Sequence, residues 1–321
     1  MPCLTLFILN KIKFNTSSNV VTNLPCPVFY RRKIILALLQ LFEGRLEKIQ
    51  LQKLLFLFSK QQEKAAYDFV PYKYGCYSFS ANADMTAMVN RNLVNEDEKS
   101  FEKKDNIDYL NELKPVDLKL LQDVKDTYGS MGVATLIKYT YVKFPFYTTK
   151  SVVAESILSK DELEKVKKSK PIGNKTVLYT IGYEGISLEE YLVRLVKNDV
   201  KVLVDVRNKP MSMKFGFSKS QLQKFCASLD IAYMHFPEVG IQSDQRQKLT
   251  TQRDYDQLFR LYCHTNLTNT ASSQLAILNV LKQYKRIALT CFEANICQCH
   301  RKHLAEAIEN LPDFNYEVKH L

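Results

Sequence analysis

The chain has 321 residues, enough for two cores, with 46% hydrophobic and 25% charged residues and a formal net charge of +11. This composition is that of a globular protein, and no apolar run approaches the roughly 20 residues a membrane helix needs, so a helical membrane protein is excluded. Residues 1–170 carry 26 basic and 19 acidic side chains and residues 171–321 carry 19 and 15; this spread excess points to an anionic partner, nucleic acid or nucleotide first, rather than to a basic tail. The competing reading is a basic protein with no polyanion partner.

The 8 Cys are scattered, without the even spacing of a secreted framework, and three fall within Cys291–Cys299. Free thiols and a reducing, cytoplasmic setting follow as expectations. The apolar run CLTLFIL at 3–9 precedes Lys11 and Lys13, the reverse of a signal peptide's order. Residues 1–28 match no periodic pattern and are expected to be a poorly ordered extension.

From Arg31 to Phe42 the spacing predicts a helix closed by Gly44, and from Leu46 to Ser59 a second with a broad apolar face. The pair is helix-turn-helix-like, a DNA-binding arrangement or a plain packing hairpin. The Tyr-rich stretch YDFVPYKYGCYSFSAN, punctuated by Pro71 and Gly75, predicts a small hairpin or wing leading into a helix over Ala81–Leu93. Residues 94–106 are charged and apolar-poor and read as a loop; further helices are expected over Pro115–Tyr128, Val133–Tyr139 and Lys160–Lys170. Pro171–Gly173 is the expected boundary, so that 29–170 is a mostly helical, winged-helix-like recognition or regulatory domain.

Residues 176–207 read as strand, turn, helix and strand. Thr176–Ile181 and Val200–Val206 are nearly uninterrupted apolar runs, and Ser187 with Glu190 forms a candidate capping box between them. This predicts a parallel βαβ crossover. Beyond it come a basic loop (Lys209–Lys219), a helix over Gln221–Leu229 begun at Ser218 or Ser220, and a strand over Ile231–Phe236 with Tyr233 and His235 on one face. Polar helices over 242–274, a helix over Gln274–Gln283, a buried strand over Arg286–Cys291, a helix over His300–Asn310 and a last strand over Tyr316–His320 complete the chain. Residues 171–321 are therefore expected to form a small doubly wound α/β domain with a mainly parallel sheet.

Ligands of such sheets sit beyond the carboxyl ends of the strands. That singles out Thr180, Gly182 and Tyr183, the pair Asp205 and Arg207, and the cluster Cys291-x-Glu293-x5-Cys299-His300-Arg301. A helix opening at His300 with Arg301 beside it favours an anion such as phosphate, and a thiol there would have a lowered pKa. On the active-site reading Glu293, aided by Asp205, is the acid/base, Arg207 and Arg301 clamp phosphate, and Cys291 or Cys299 is a nucleophile. Other readings stay open: a zinc site drawn from Cys291, Cys297, Cys299, His300 and His303, whose spacing is not that of a standard finger; buried thiols of purely structural use; and, for Asp205 and Arg207, whose period-two spacing puts both on one face, a buried ion pair, which is compatible with the phosphate role. Lys209, Lys214 and Lys219 with Phe215 and Phe217 form a basic, aromatic loop suited to stacking on bases, or a lid with core plugs. No cofactor and no bound metal is expected.

Two resemblances extend this. LQKLLFLF followed by YKYGCYS and YVKFPFY is similar to the Panacea/SocA-like helical domains (DUF 4065), with Cys76 where that pattern has Pro; it implies a regulatory or recognition module. The blocks TIGYEG, VLVDVR-x2-P-x-S, FSK-x-x-L, IAYMHFPEVG, IALTCFE and CHR, in this order over about 175–310, resemble the domain of unknown function 488 family (DUF 488). Carried over by position, the resemblance marks Thr180, Gly182, Asp205, Arg207, Pro210, Ser212, Tyr233, His235, Pro237, Gly240, Cys291, Glu293, Cys299, His300 and Arg301. Tyr183-Glu184 replaces the common His-Ser, and Val239-Gly240-Ile241 replaces Leu-Gly-Gly. The two walls of the site are expected to be TIGYE with DVR on one side and CFE with CHR on the other. The leading expectation is an enzyme acting on a nucleotide or nucleic acid by N-glycosidic or phosphoester hydrolysis or transfer; the alternative is a non-enzymatic protein that binds modified or structured nucleic acid.

Overall fold

A computed structural model describes residues 28–242 and 249–321. The expected extension 1–28 lies, apart from Val28, outside the described residues, as do positions 243–248 of the polar stretch.

The N-terminal region begins with α1 (Tyr30–Leu41), β1 (Arg45–Glu47) and α2 (Lys48–Ser59). Leu46, expected to open the second helix, lies instead in β1, because Arg45–Glu47 pair with Ser100–Glu102. The chain turns between α1 and β1 through Glu43 and Gly44, both at positive φ. The Tyr-rich segment forms the expected hairpin, β2 (Val70–Tyr72) and β3 (Gly75–Tyr77), and runs into α3 (Phe79–Asn90), where Ser78 Oγ caps the Ala81 N–H at 3.2 Å. The stretch expected to be a charged loop is a second hairpin, β4 (Val94–Glu96) and β5 (Ser100–Lys103). Two inward apolar anchors, Val94 and Phe101, suffice because Asp97 ties the turn by accepting the Lys99 and Ser100 N–H groups at 2.8 and 2.7 Å.

With β1 between α1 and α2 and the β4–β5 hairpin after α3, the sheet order β1-β5-β4 is that of a winged helix, with the β2–β3 hairpin inserted between α2 and α3. The helix pair α1 and α2 packs as one unit of the N-terminal core. Every residue of α2 from Leu51 to Ser59 is buried, so this helix has no face left for a groove. The exposed positions of α3 are Asn82, Thr86 and Asn90, and the β4–β5 turn carries Glu96, Asp97, Glu98 and Lys99, with Lys48 paired to Glu96 and Arg45 to Asp97. The segments QKL and YGCYS meet: Gln52 accepts from the Ser78 N–H at 2.9 Å, and the Lys53 ammonium donates to the carbonyls of Tyr74 and Cys76. Helices α4 (Pro115–Tyr128), α5 (Val133–Lys143), α6 (Pro145–Thr148), α7 (Ala154–Ile157) and α8 (Lys160–Ser169) complete this region. No helix among the described residues is long and apolar enough to cross a membrane.

The C-terminal region runs β6 (Val177–Gly182), α9 (Leu188–Lys197), β7 (Val202–Asp205), α10 (Lys219–Ala227), β8 (Ala232–His235), α11 (Gln252–Tyr262), α12 (Ala271–Tyr284), β9 (Arg286–Cys291), α13 (His300–Glu309) and β10 (Glu317–His320). Its five strands are all parallel, in the order β10-β6-β9-β7-β8. The crossover β6–α9–β7 forms as expected, but its strands are not neighbours: β9 lies between them, paired to both. RIALTC is buried from Ile287 onward and takes the central, doubly covered place. Helices α9 and α10 cover one face through Leu188, Tyr191, Leu192, Leu222 and Cys226, while α11, α12 and α13 cover the other.

Val70 and Phe79 of the N-terminal region belong to the same core cluster as α9 and α10. Beside them the buried Glu189 carboxylate accepts the Ser80 N–H at 2.6 Å and the Ser80 and Ser78 hydroxyls at 2.9 and 3.3 Å. Ser187 caps α9 by accepting the Glu190 N–H at 3.0 Å and donates its own hydroxyl to Asp68 at 2.7 Å. Glu190 turns away to Arg194, so only half of the expected capping box forms.

Candidate functional site

Side chains alternate across a strand, and this alternation divides the strand-end residues between the two faces of the sheet. Asp205 shares the parity of Leu203, on the face covered by α9 and α10, whereas Cys291 shares that of Leu289, on the face covered by α13. The two expected walls are thus corrected. With β9 between β6 and β7, the segment CFE stands between TIGYE and DVR along the sheet edge, and the side chains form two constellations on opposite faces.

The first is built on Asp205, which is fully buried. Its Oδ1 accepts the Arg207 N–H at 3.1 Å and Nε–H at 2.9 Å; its Oδ2 accepts Arg207 Nη2–H at 2.5 Å and the Tyr233 hydroxyl at 2.6 Å. Arg207 Nη1 donates onward to the Tyr183 hydroxyl at 2.8 Å and the Phe217 carbonyl at 2.9 Å. Only 6% of Arg207 is exposed. The guanidinium expected to clamp phosphate therefore clamps the protein: it fastens the turn after β7 to β6 and to the basic loop. Burial raises the Tyr183 pKa even though Arg207 pulls it down. Burial also raises that of Tyr233, and Asp205 adds to the rise. His235 continues the array, its Nε2 on the Arg207 carbonyl at 2.8 Å and its Nδ1 on Lys219 Nζ at 3.0 Å.

The basic loop lies over this constellation. Lys209 and Lys219 are exposed, Met211 and Met213 stand almost fully in solvent, and Phe215 is partly exposed. Lys214 donates to the Tyr183 carbonyl at 2.6 Å, and Ser212 Oγ accepts the Lys214 N–H at 3.2 Å. Phe217 is different. Its side chain is wholly buried and its ring stacks on Tyr183 at 4.2 Å, nearly parallel, so it is a core plug and presents no face to a base.

The second constellation joins the end of β9 to the start of α13. Cys291 Sγ lies 3.1 Å from Glu293 Oε2 and 3.6 Å from His300 Nδ1, and Cys299 Sγ is close by; both thiols and the imidazole are buried. His300 Nε2 meets the Val206 carbonyl at 3.0 Å. A carbonyl oxygen can only accept, so Nε2 carries a hydrogen and Nδ1 faces the sulfur. A hydrogen bond from Cys299 holds the Cys291 thiol well below its usual range against the penalty of burial, and His300 helps. Burial and the neighbouring Cys291 push Cys299 the other way. Burial opposes charge on His300, but the Cys291 sulfur outweighs it and raises the imidazole pKa. Both shifts run toward charge on Cys291 and His300, with Cys299 as the donor to the Cys291 sulfur.

Glu293 is half-buried at the mouth of this cluster. Its own carbonyl and that of Ala294 accept Arg301 Nη1–H and Nη2–H at 2.5 and 3.2 Å. Arg301 is 1% exposed, and its Nε has no partner among the described residues. Like Arg207, it shapes a loop. Gly182 is the residue this loop passes: a Cβ there would collide with the Glu293 carbonyl. Thr180, on the same strand, is buried and pairs with His320 Nδ1 at 2.9 Å.

Of the residues picked out by position, Tyr183, Asp205 and Arg207 are brought together, as are Cys291, Glu293, His300 and Arg301, while the lysines of the basic loop stand on the rim. Tyr233 and His235 complete the first constellation; their period-two spacing on a strand ending in Pro is the signal for them. Cys297 is exposed and His303 pairs with Glu306 at 3.2 Å, so neither joins the thiol cluster.

No curated protein matches the chain. A family model described as "Domain of unknown function DUF488" matches residues 187–308, from the cap of α9 through α13. The match takes in Asp205, Arg207, Tyr233, His235, Cys291, Glu293, Cys299, His300 and Arg301; the Panacea-like segments lie outside it. The C-terminal α/β region of this chain thus carries a DUF488 domain over residues 187–308.

Proposed function

We propose that the C-terminal region is an enzyme that hydrolyses or transfers at an N-glycosidic or phosphoester bond of a nucleotide or nucleic acid, with Glu293 as its acid/base. The observation that carries this reading is the half-buried Glu293 carboxylate, set 3.1 Å from Cys291 Sγ at the end of the central strand β9. A carboxyl in such a place can exchange a proton with a substrate held at the sheet edge, the usual ligand position of a parallel sheet. The lysines at 209, 214 and 219 supply cationic groups for a phosphate, a task the buried Arg207 and Arg301 are too occupied to perform. Asp205 acts on this reading as a positioning residue, since its oxygens already hold Arg207 and Tyr233.

The test is to incubate the full chain with nucleosides, nucleotides, single-stranded DNA and structured RNA, following released base or phosphate by chromatography. Glu293→Gln should lose turnover with an unchanged circular dichroism spectrum; full activity in that variant would remove the proposal. The second reading, a non-enzymatic nucleic-acid binder, is favoured by the exposed lysine and methionine loop. It requires salt-dependent binding that survives Glu293→Gln.

A further inference from the structure

We propose that Cys291, Cys299 and His300 are the protein ligands of a zinc ion, with Glu293 at the remaining position. The two Sγ atoms and a ring nitrogen of His300 lie within 4.8 Å of one another. A tetrahedral zinc bound at about 2.3 Å by sulfur and about 2.0 Å by nitrogen sets its ligand atoms about 3.5–3.8 Å apart. The Cys291 Sγ to His300 Nδ1 distance of 3.6 Å is already at that separation.

The second observation is independent of the first. A metal-bound histidine characteristically gives its other ring N–H to a carbonyl or carboxylate, which fixes the tautomer and aims the lone pair. His300 does this through Nε2 on the Val206 carbonyl at 3.0 Å, leaving Nδ1 for the sulfur side. The Tyr262 ring, edge-on at 5.5 Å, packs against the imidazole.

The ligands also sit on rigid elements. Cys291 ends the central strand, and Cys299 and His300 open α13. The intervening loop is pinned by Arg301 on the carbonyls of Glu293 and Ala294, and by the Tyr183 and Glu184 N–H groups on the Phe292 carbonyl. The two thiols are close but unbonded, and a carboxylate beside them gathers negative charge in a buried place that a divalent cation would neutralise. Two sulfurs and an imidazole favour zinc over magnesium or calcium, which take oxygen ligands. On binding, the metal displaces to solvent whatever protons the two sulfurs and His300 Nδ1 carry, while Nε2 keeps its hydrogen on the Val206 carbonyl. The carboxylate of Glu293, reaching the half-buried mouth, takes the fourth position directly or through a water.

The assignment stands without the enzymatic reading, although both use Glu293, and the experiment separates them. The untagged full chain is expressed with added zinc, purified without chelator, dialysed, and its metal measured by mass spectrometry. About one zinc per chain is expected, retained in Cys297→Ser and His303→Ala. Cys299→Ser and His300→Ala should lower occupancy by about tenfold or more. Because removing a buried ligand can unfold the chain, the wild-type protein is also stripped and titrated with Co2+. Thiolate-to-cobalt charge-transfer absorption saturating at about one equivalent, and erased by added zinc, is the expected result. A wild-type chain that binds neither zinc nor cobalt, or a folded Cys299→Ser chain that keeps full zinc, overturns the assignment. Zinc binding in a chain with no turnover leaves the site standing and removes only the enzymatic reading; turnover in a chain that binds neither zinc nor cobalt does the reverse.

Discussion

Arg207 and Asp205 form a fork-to-fork pair within three residues of chain, Nε on Oδ1 at 2.9 Å and Nη2 on Oδ2 at 2.5 Å, with almost no exposure on either side. A pair this deep is costly to break because the surviving charge keeps no partner. Asp205→Ala and Arg207→Ala should each destabilise the fold by about 3–5 kcal/mol. Arg207→Lys should recover only part of this, as a lysine cannot make the parallel bonds. Unfolding in urea followed by circular dichroism is the measurement, since the chain has no Trp. An Arg207→Ala chain as stable as wild type would show that the pair is ornamental.

Gly182 ends β6 where the Glu293 carbonyl and the Arg301 guanidinium approach its α-carbon. The two nearest atoms a methyl would meet are the carbonyl oxygen and carbon of Glu293, backbone that cannot swing away. Gly182→Ala should therefore cost about 1–3 kcal/mol or more and displace the Glu293 loop. Gly185→Ala is a contrasting control: it meets no atom nearby but sits at positive φ, so it should cost only about 1 kcal/mol. Thermal melts of the two variants, with loss of loop signals in the first alone, check this. Equal effects would count against the close approach.

The sequence makes β9 legible to the residue, because RIALTC is an apolar run between a charged turn and a polar loop. It does not show that β9 separates β6 from β7, since strand order is a non-local outcome that no local period records. The i, i+2 spacing of Asp205 and Arg207 allows their buried pairing to be read, but the burial of Arg301 at the start of α13 is not legible, because its partners are backbone carbonyls, which carry no sequence signal. Glu189 has the look of an ordinary first-turn acid of α9, because its partners Ser78 and Ser80 lie more than a hundred residues earlier. The hairpin within 94–106 escapes a reading by period because two apolar residues are too few to define one. The family blocks mark which strand-end residues to consider where spacing alone leaves the choice open.

The exposed loop Lys209–Lys219 predicts the salt dependence of nucleic-acid binding. Lys209→Ala and Lys219→Ala should each weaken binding of a single-stranded oligonucleotide and lower the slope of log affinity against log salt by about 0.7 for each phosphate no longer neutralised. Phe217→Ala should instead cost about 3–5 kcal/mol of stability, as a cavity in the core, and the affinity of its folded fraction should hardly change. Fluorescence anisotropy at several salt concentrations separates these effects. A slope unchanged in the double lysine variant would remove this loop from the binding surface.

Glu189 predicts a pH dependence with a definite sign. Burial raises its pKa above the ordinary 4.5, although the Ser80 N–H and the two serine hydroxyls pull it down. The folded chain thus holds this proton more firmly than the unfolded chain. Its contribution to stability is full below about pH 4.5 and is lost as pH rises through the raised folded value. Glu189→Gln keeps an acceptor for the Ser80 N–H and cannot ionise, so the stability of wild type relative to this variant should fall as pH rises from about 4.5 to neutrality. Glu189→Ala, which leaves the Ser80 N–H without its acceptor, should cost about 1–3 kcal/mol at low and neutral pH alike. Melting temperatures of the three chains across this range decide the matter. A wild-type-to-Gln difference that is flat, or that grows with pH, would mean the carboxylate is as content in the folded chain as in water, and that the serines at the start of α3 alone hold it ionised.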